Sequence, residues 1–108
     1  MSGVHSEETD HLFRALLQLR TVDECYSFFE DICTVREIKD MSQRLEVARQ
    51  LREGRVYNEI AAATGASSAT ISRVNRCIGY GAGGYALVLD RVAETSPEEA
   101  AEAEENSK

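Results

Sequence analysis

The sequence predicts an all-α protein, and three observations predict it. Two T-x-x-E segments, Thr21 to Glu24 and Thr34 to Glu37, have the form of a capping box, in which hydroxyl and carboxylate each satisfy an amide left unpaired at a helix start. After each, apolar residues recur at spacings of three and four, as they do on a helix with one buried face. No segment alternates apolar and polar residues as a half-buried strand would, and one Pro, no Trp and seven Tyr and Phe do not suit a turn-rich β-sandwich.

The elements follow in order. Ser6 or Thr9 caps a first helix bearing Leu12, Phe13, Leu16, Leu17 and Leu19, an apolar face wide enough for contact on more than one side. Behind Thr21, the residues Val22, Cys25, Tyr26, Phe29, Ile32 and Cys33 line a second helix. Behind Thr34, the stripe Ile38, Met41, Leu45, Ala48 and Leu51 lines a third, which Gly54 ends as a C-cap. Two short helices, Tyr57 to Ala63 and Ser67 to Ile78, flank Thr64-Gly65-Ala66. Gly79, Gly81, Gly83 and Gly84 form a flexible joint around Tyr80, and a last helix from about Tyr85 to Ala93 is apolar nearly all round. From Glu94 the chain is rich in Glu and Ala and has no large apolar side chain, so burial cannot offset the entropy of ordering it. The expected organisation is one helical domain over residues 1–93 and a disordered acidic tail over 94–108.

Composition narrows the function. The chain has 108 residues, 43% of them apolar and 29% charged, in the range of soluble globular proteins. Its longest purely apolar run is Tyr85 to Leu89, far short of the ~20 residues of a membrane span. The first residues have neither the basic nor the apolar segment of a signal peptide, so a cytoplasmic protein without membrane contact is expected. Three cysteines without CxxC spacing fit a reducing compartment and speak against a disulfide frame or a zinc site. Cys25 and Cys33 fall on an apolar stripe, as core residues would. His5 and His11 lie six apart with no further ligands nearby, so no metal site is expected. No Ser/His/Asp grouping is present, and Gly79 to Gly84 follows a helix rather than a strand, which is the wrong context for a dinucleotide. The expectation is a non-enzyme with no catalytic residues.

The net charge of −7 conceals a segregation. Residues 1–33 carry a net −5, residues 34–78 a net +3 and residues 79–108 a net −5, and no acid occurs between Ile60 and Leu89. A locally basic segment governs polyanion binding more than the sum over the chain does.

Residues 57–78 read as a helix-turn-helix. Such a motif needs a small residue where its helices cross, a turn residue tolerant of positive φ, and apolar contacts that lock the angle. Ala61 is the small crossing residue and Gly65 the turn, while Ile60, Ala66, Ile71 and Val74 form the wedge. Ser67 or Ser68 is placed to cap the second helix. That helix exposes Ser67, Ser68, Ala69, Ser72, Arg73 and Arg76, all small or basic. Small residues allow close approach to a major groove, the arginines reach guanine edges, and hydroxyls and amides hold phosphates. Arg52 and Arg55, ending the long helix, are further candidates for phosphate contact. A plain solvated face would normally include Glu or Asp, and this one has none.

The stretch from Thr34 to Tyr80 resembles the Trp repressor superfamily, its YerC/YecD type above all. The resemblance is carried by Thr34-x-Arg36-Glu37-x₆-Arg44, by Ala48-x₂-Leu51-x₂-Gly54, by Tyr57-Asn58-Glu59-Ile60 running into Thr64-Gly65-Ala66-Ser67, and by Ala69 to Arg76. It implies an intertwined homodimer in which helices of two chains share a core and a helix-turn-helix projects from each side. That fits a chain whose own core is marginal and whose apolar faces are wide. Leu12, Phe13, Leu16, Phe28, Phe29, Leu87 and Leu89 are the candidates for the shared core. The resemblance also implies a corepressor pocket, to which Thr34, Arg44 and Arg73 correspond. Arg44 would stack on a ring, and Arg73 and Thr34 would hold a carboxylate. Val74 replaces a glycine of the family beside that pocket, and Cys77 replaces a serine hydroxyl that would accept from an ammonium. These departures speak against tryptophan. No cofactor is expected, and any small-molecule corepressor is another compound.

The expected function is a sequence-specific transcriptional regulator, a repressor by resemblance, that binds double-stranded DNA as a homodimer. The alternative is an adaptor that turns the same helix-turn-helix toward protein, supported by the overall acidity and by lysines only at positions 39 and 108.

Overall fold

A computed structural model of the chain describes residues 3–95. Six helices occur among them: α1 (Glu7–Leu16), α2 (Val22–Ile32), α3 (Val35–Arg52), α4 (Tyr57–Thr64), α5 (Ser68–Tyr80) and α6 (Gly84–Glu94). The chain divides between Ile32 and Cys33 into two compact units. The expected tail begins inside α6, at Glu94, and its part from residue 96 on lies outside the described residues.

The first unit comprises α1 and α2, each capped as its sequence dictates. The Ser6 hydroxyl accepts the Thr9 amide at 3.0 Å, and Glu7, Glu8 and Asp10 sit where the helix dipole favours negative charge. The Thr21 box is displaced by one residue: Thr21 Oγ1 accepts from the Glu24 amide at 3.1 Å, but the Glu24 carboxylate accepts from the Arg20 amide rather than from Thr21's own. Phe28 and Phe29 meet edge to face, with centroids 6.0 Å apart. Neither helix buries any residue fully.

The second unit is built on α3. Thr34 and Glu37 close a complete capping box: the Thr34 amide donates to the Glu37 carboxylate at 2.8 Å, and the Glu37 amide to Thr34 Oγ1 at 3.1 Å. These bonds to the ionised form hold the Glu37 carboxyl below its ordinary pKa. At the other end, the Arg55 amide donates to the Gln50 carbonyl and the Gly54 amide to the Leu51 carbonyl, a Schellman turn that stops the helix. Packed against α3 are α4, α5 and α6; α5 also packs on α4 and α6.

The core comprises Val47, Ala48, Ile60, Ala66, Ile71 and Val74, with Leu51, Ala61, Ile78, Tyr85 and Leu89 around it. All four expected wedge residues are therefore buried. The α3 stripe is corrected in part: Ala48 is fully buried and Leu51 packs on the core as expected, but the stripe's earlier members do not. Val47 is fully buried, whereas Met41 and Leu45 are 38% and 40% exposed. The helices that return against α3 cover a face rotated from the one the three-and-four spacing picked out. The joint is shorter than expected, because Gly79 and Tyr80 complete α5 and Gly84 opens α6. Gly81 ends α5 with its amide on the Cys77 carbonyl at 2.8 Å, so close that a Cβ there would fall 2.3 Å from that oxygen.

On the outer side of α3, Arg49 pairs with both Glu46 and Glu53. Hydrogen bonds from Arg49 and Gln50 lower the Glu46 carboxyl from 4.5 to about 2. A carboxyl depressed on folding contributes stability that is complete above its unfolded value and lost as pH falls toward its folded one. Glu46→Gln is therefore expected to flatten the decline in urea midpoint between pH 4.5 and 2; an unchanged slope would show that Glu46 is not involved. At the turn between α4 and α5, Gly65 has φ of +74°. Gly65→Ala should cost about 1–2 kcal/mol, because an L side chain is strained in that conformation; denaturant unfolding measures this.

Candidate nucleic-acid interface

The α4–α5 turn fixes how α5 is presented. Gly65 reverses the chain with its amide on the Ala61 carbonyl. Thr64 Oγ1 donates to the Ile60 carbonyl at 2.8 Å and accepts from the Ala66 amide at 3.1 Å. Gln43 reaches across from α3 and donates to the Thr64 carbonyl at 3.2 Å. Polar groups at the turn are thus paired, and Ala66 is buried directly after it. Ser67 is the N-cap, its hydroxyl accepting from the Thr70 amide at 3.1 Å; Ser68 is the first residue of the helix.

With Ile71 and Val74 turned into the core, the opposite side of α5 is exposed. Ser67, Ser68, Ala69, Ser72, Arg73, Asn75 and Arg76 all face solvent, and no acid lies in the first turn. Among the described residues no carboxylate lies within ion-pair range of Arg73 or Arg76. Tyr80, one turn beyond Arg76, is 91% exposed and shares a shallow groove with Arg73, Arg76 and Cys77.

Arg52 and Arg55 stand apart from this face. Arg52 Nη2 is 2.6 Å from Asp90, and Nη1 reaches the Ala86 carbonyl at 3.5 Å, so this guanidinium ties the end of α3 to α6. Arg55 is 3.5 Å from Glu53. Of the four candidate effector residues, Arg44 and Arg73 share a cleft that Thr34 and Cys77 do not line. Arg44 and Arg73 line one cleft of about 490 Å³ between α3 and α5, with Arg36, Lys39, Asp40, Gln43, Gly65, Ser67 and Thr70. Thr34 is not among its walls, and its hydroxyl already accepts the Glu37 amide. Cys77 does not line that cleft either; it borders Arg73 in the shallow groove beside Tyr80 and also lines an apolar groove with Leu45, Tyr85 and Val88.

The sequence reading missed Arg36, Lys39, Gln43 and Thr70 as cleft residues. Their signal was available in part: Arg36, Lys39, Gln43 and Arg44 recur at helical spacing on one face of α3. Among the described residues no group of three or more His, Cys, Asp or Glu is gathered as a metal would require, and no helix is long and apolar enough to cross a membrane.

Comparison with known proteins places this architecture. The profile of the Trp repressor protein family matches residues 7–93. The chain is 54% identical over 95 residues to an uncharacterized protein of Bacillus subtilis (strain 168), YerC, covering 88% of this chain and 91% of that one. A crystal structure of a TrpR-like protein from Eubacterium eligens superposes with a TM-score of 0.81 at 50% identity, covering 86% of this chain and 96% of the other. A solved structure from Staphylococcus aureus gives the same TM-score at 44% identity, covering 86% and 93%. The chain belongs to the Trp repressor family.

Proposed function

We propose that the chain is a sequence-specific transcriptional regulator, a repressor, that binds double-stranded DNA as a homodimer. The observation that carries this reading is the exposed face of α5: small residues at its start, then two guanidinium groups without carboxylate partners, held outward by a fully buried wedge. Ser67, Ser68 and Ala69 admit the backbone into a major groove, Ser72 contacts the phosphates, and Arg73 and Arg76 reach base edges. Arg52 and Arg55 are left with a lesser part, since carboxylates already hold them. Such a protein acts where the DNA is, in the cytoplasm.

Homodimerisation is supported by unmet burial. Within the single chain none of Leu12, Phe13, Leu16, Phe28, Phe29, Leu87 and Leu89 is fully buried; Phe13 and Leu87 are 53% and 51% exposed. A second copy would remove these faces from water at roughly 25 cal/mol per Å² of apolar surface. Two recognition helices would then meet half-sites about 34 Å apart.

Arg76→Ala should weaken binding to a selected duplex by about 1–3 kcal/mol in fluorescence anisotropy, while Arg91→Ala on α6 should leave it unchanged. Equal affinity for wild type and Arg76→Ala would reject the assigned contact, and flow-through on duplex DNA at low salt would favour the adaptor. Sedimentation equilibrium should show a dimer at micromolar concentration that Leu16→Glu weakens; a monomeric wild type would overturn the shared core.

A further inference from the structure

The cleft between α3 and α5 is walled by charge, hydroxyl and amide. Arg36, Lys39, Arg44 and Arg73 supply four cations against one carboxylate, Asp40, which Arg36 already holds at 3.2 Å. Among the described residues Lys39, Arg44 and Arg73 have no ion-pair partner. No hydrocarbon or aromatic side chain lines the space. A guanidinium can stack on a ring, but four cations against one carboxylate leave an excess of positive charge that only an anion meets.

We propose that this cleft binds a small phosphorylated anion. Guanidinium groups take phosphate oxygens in pairs, the Lys39 ammonium adds a point charge, and the Ser67 and Thr70 hydroxyls lie at the start of α5, where the helix dipole favours negative charge. A volume of about 490 Å³ lies within the ~300–1,000 Å³ span of small-molecule sites and leaves room for more than one phosphate. Arg73 belongs both to the cleft and to the exposed face of α5, so an anion drawing it toward α3 withdraws it from DNA. That coupling rests on the proposed DNA-binding reading, whereas the binding itself does not. A phosphate of the DNA backbone offers the same chemistry as a free one, and the experiment separates the two.

The test is calorimetric titration of the full chain with inorganic pyrophosphate, without DNA and at constant ionic strength. Saturable uptake of one pyrophosphate per chain is expected. Lys39→Gln and Arg44→Gln should each weaken it about tenfold, the effect of losing one charge-assisted hydrogen bond, and Arg91→Gln should not change it. Lys39 is exposed, so Lys39→Gln keeps the result readable if Arg44→Gln disturbs α3, which circular dichroism reports. Absence of saturable uptake, or an equal loss in Arg91→Gln, would overturn the site. So would Lys39→Gln and Arg44→Gln variants that lose DNA affinity but take up pyrophosphate like wild type, since the cleft would then seat a backbone phosphate. In a separate anisotropy series, pyrophosphate should reduce DNA affinity more in wild type than in Lys39→Gln. DNA binding of the wild type without pyrophosphate reports on the proposed function independently.

Discussion

Everything on the surface of the second unit depends on four branched side chains meeting beneath one turn. Ile60 from α4, Ile71 and Val74 from α5, and Val47 from α3 are excluded from solvent, and each such burial contributes roughly 1.5–3 kcal/mol. Gly65 sets the angle at which α5 leaves α4, and Gln43 pins the carbonyl just before it to α3. Because the wedge takes one side of α5, the other side has to face outward. The same contacts that give the unit its core therefore choose which residues are available for recognition.

Charge follows this division. On the outer side of α3, Glu46, Arg49 and Glu53 satisfy one another, and Arg52 is matched by Asp90 on α6. On α5 and on the part of α3 that faces it, the cations other than Arg36 lack such partners among the described residues. An acidic chain thus keeps a cationic surface confined to one helix and one cleft, and the surrounding acidity opposes indiscriminate attachment to polyanions.

Much of this was legible in the residues themselves. The Thr34 box, the Ser67 cap, the glycine turn and the wedge obey local rules, in which a hydroxyl, a missing Cβ or a branched chain has one favourable place. What escaped the sequence depends on how helices return against one another. On α3, Ala48 is buried as its spacing predicts, but Val47 joins it in place of Met41 and Leu45 because α4 and α5 settle on a rotated face. Gly79 reads as a joint, yet the chain holds it in α5 because the Gly81 amide still finds the Cys77 carbonyl. Arg52 reads as a free cation beside a turn, and only its meeting with a residue 38 positions away reveals a strut. Thr34 and Cys77 fit a pocket by resemblance, but neither lines the cleft of Arg44 and Arg73: one caps its own helix, and the other meets Arg73 only in the shallow groove beside Tyr80.

The central claim is that α5 is a rigid rod presented outward to DNA. Amide hydrogen exchange, followed in the free protein and with a bound duplex, tests it most directly. Free α5 should exchange slowly along Ile71 to Ile78, where the wedge anchors it, and the duplex should add protection confined to the segment from Ser67 to Arg76. Fast exchange through α5 in the free protein, or added protection that falls elsewhere and leaves this segment unchanged, would contradict the account.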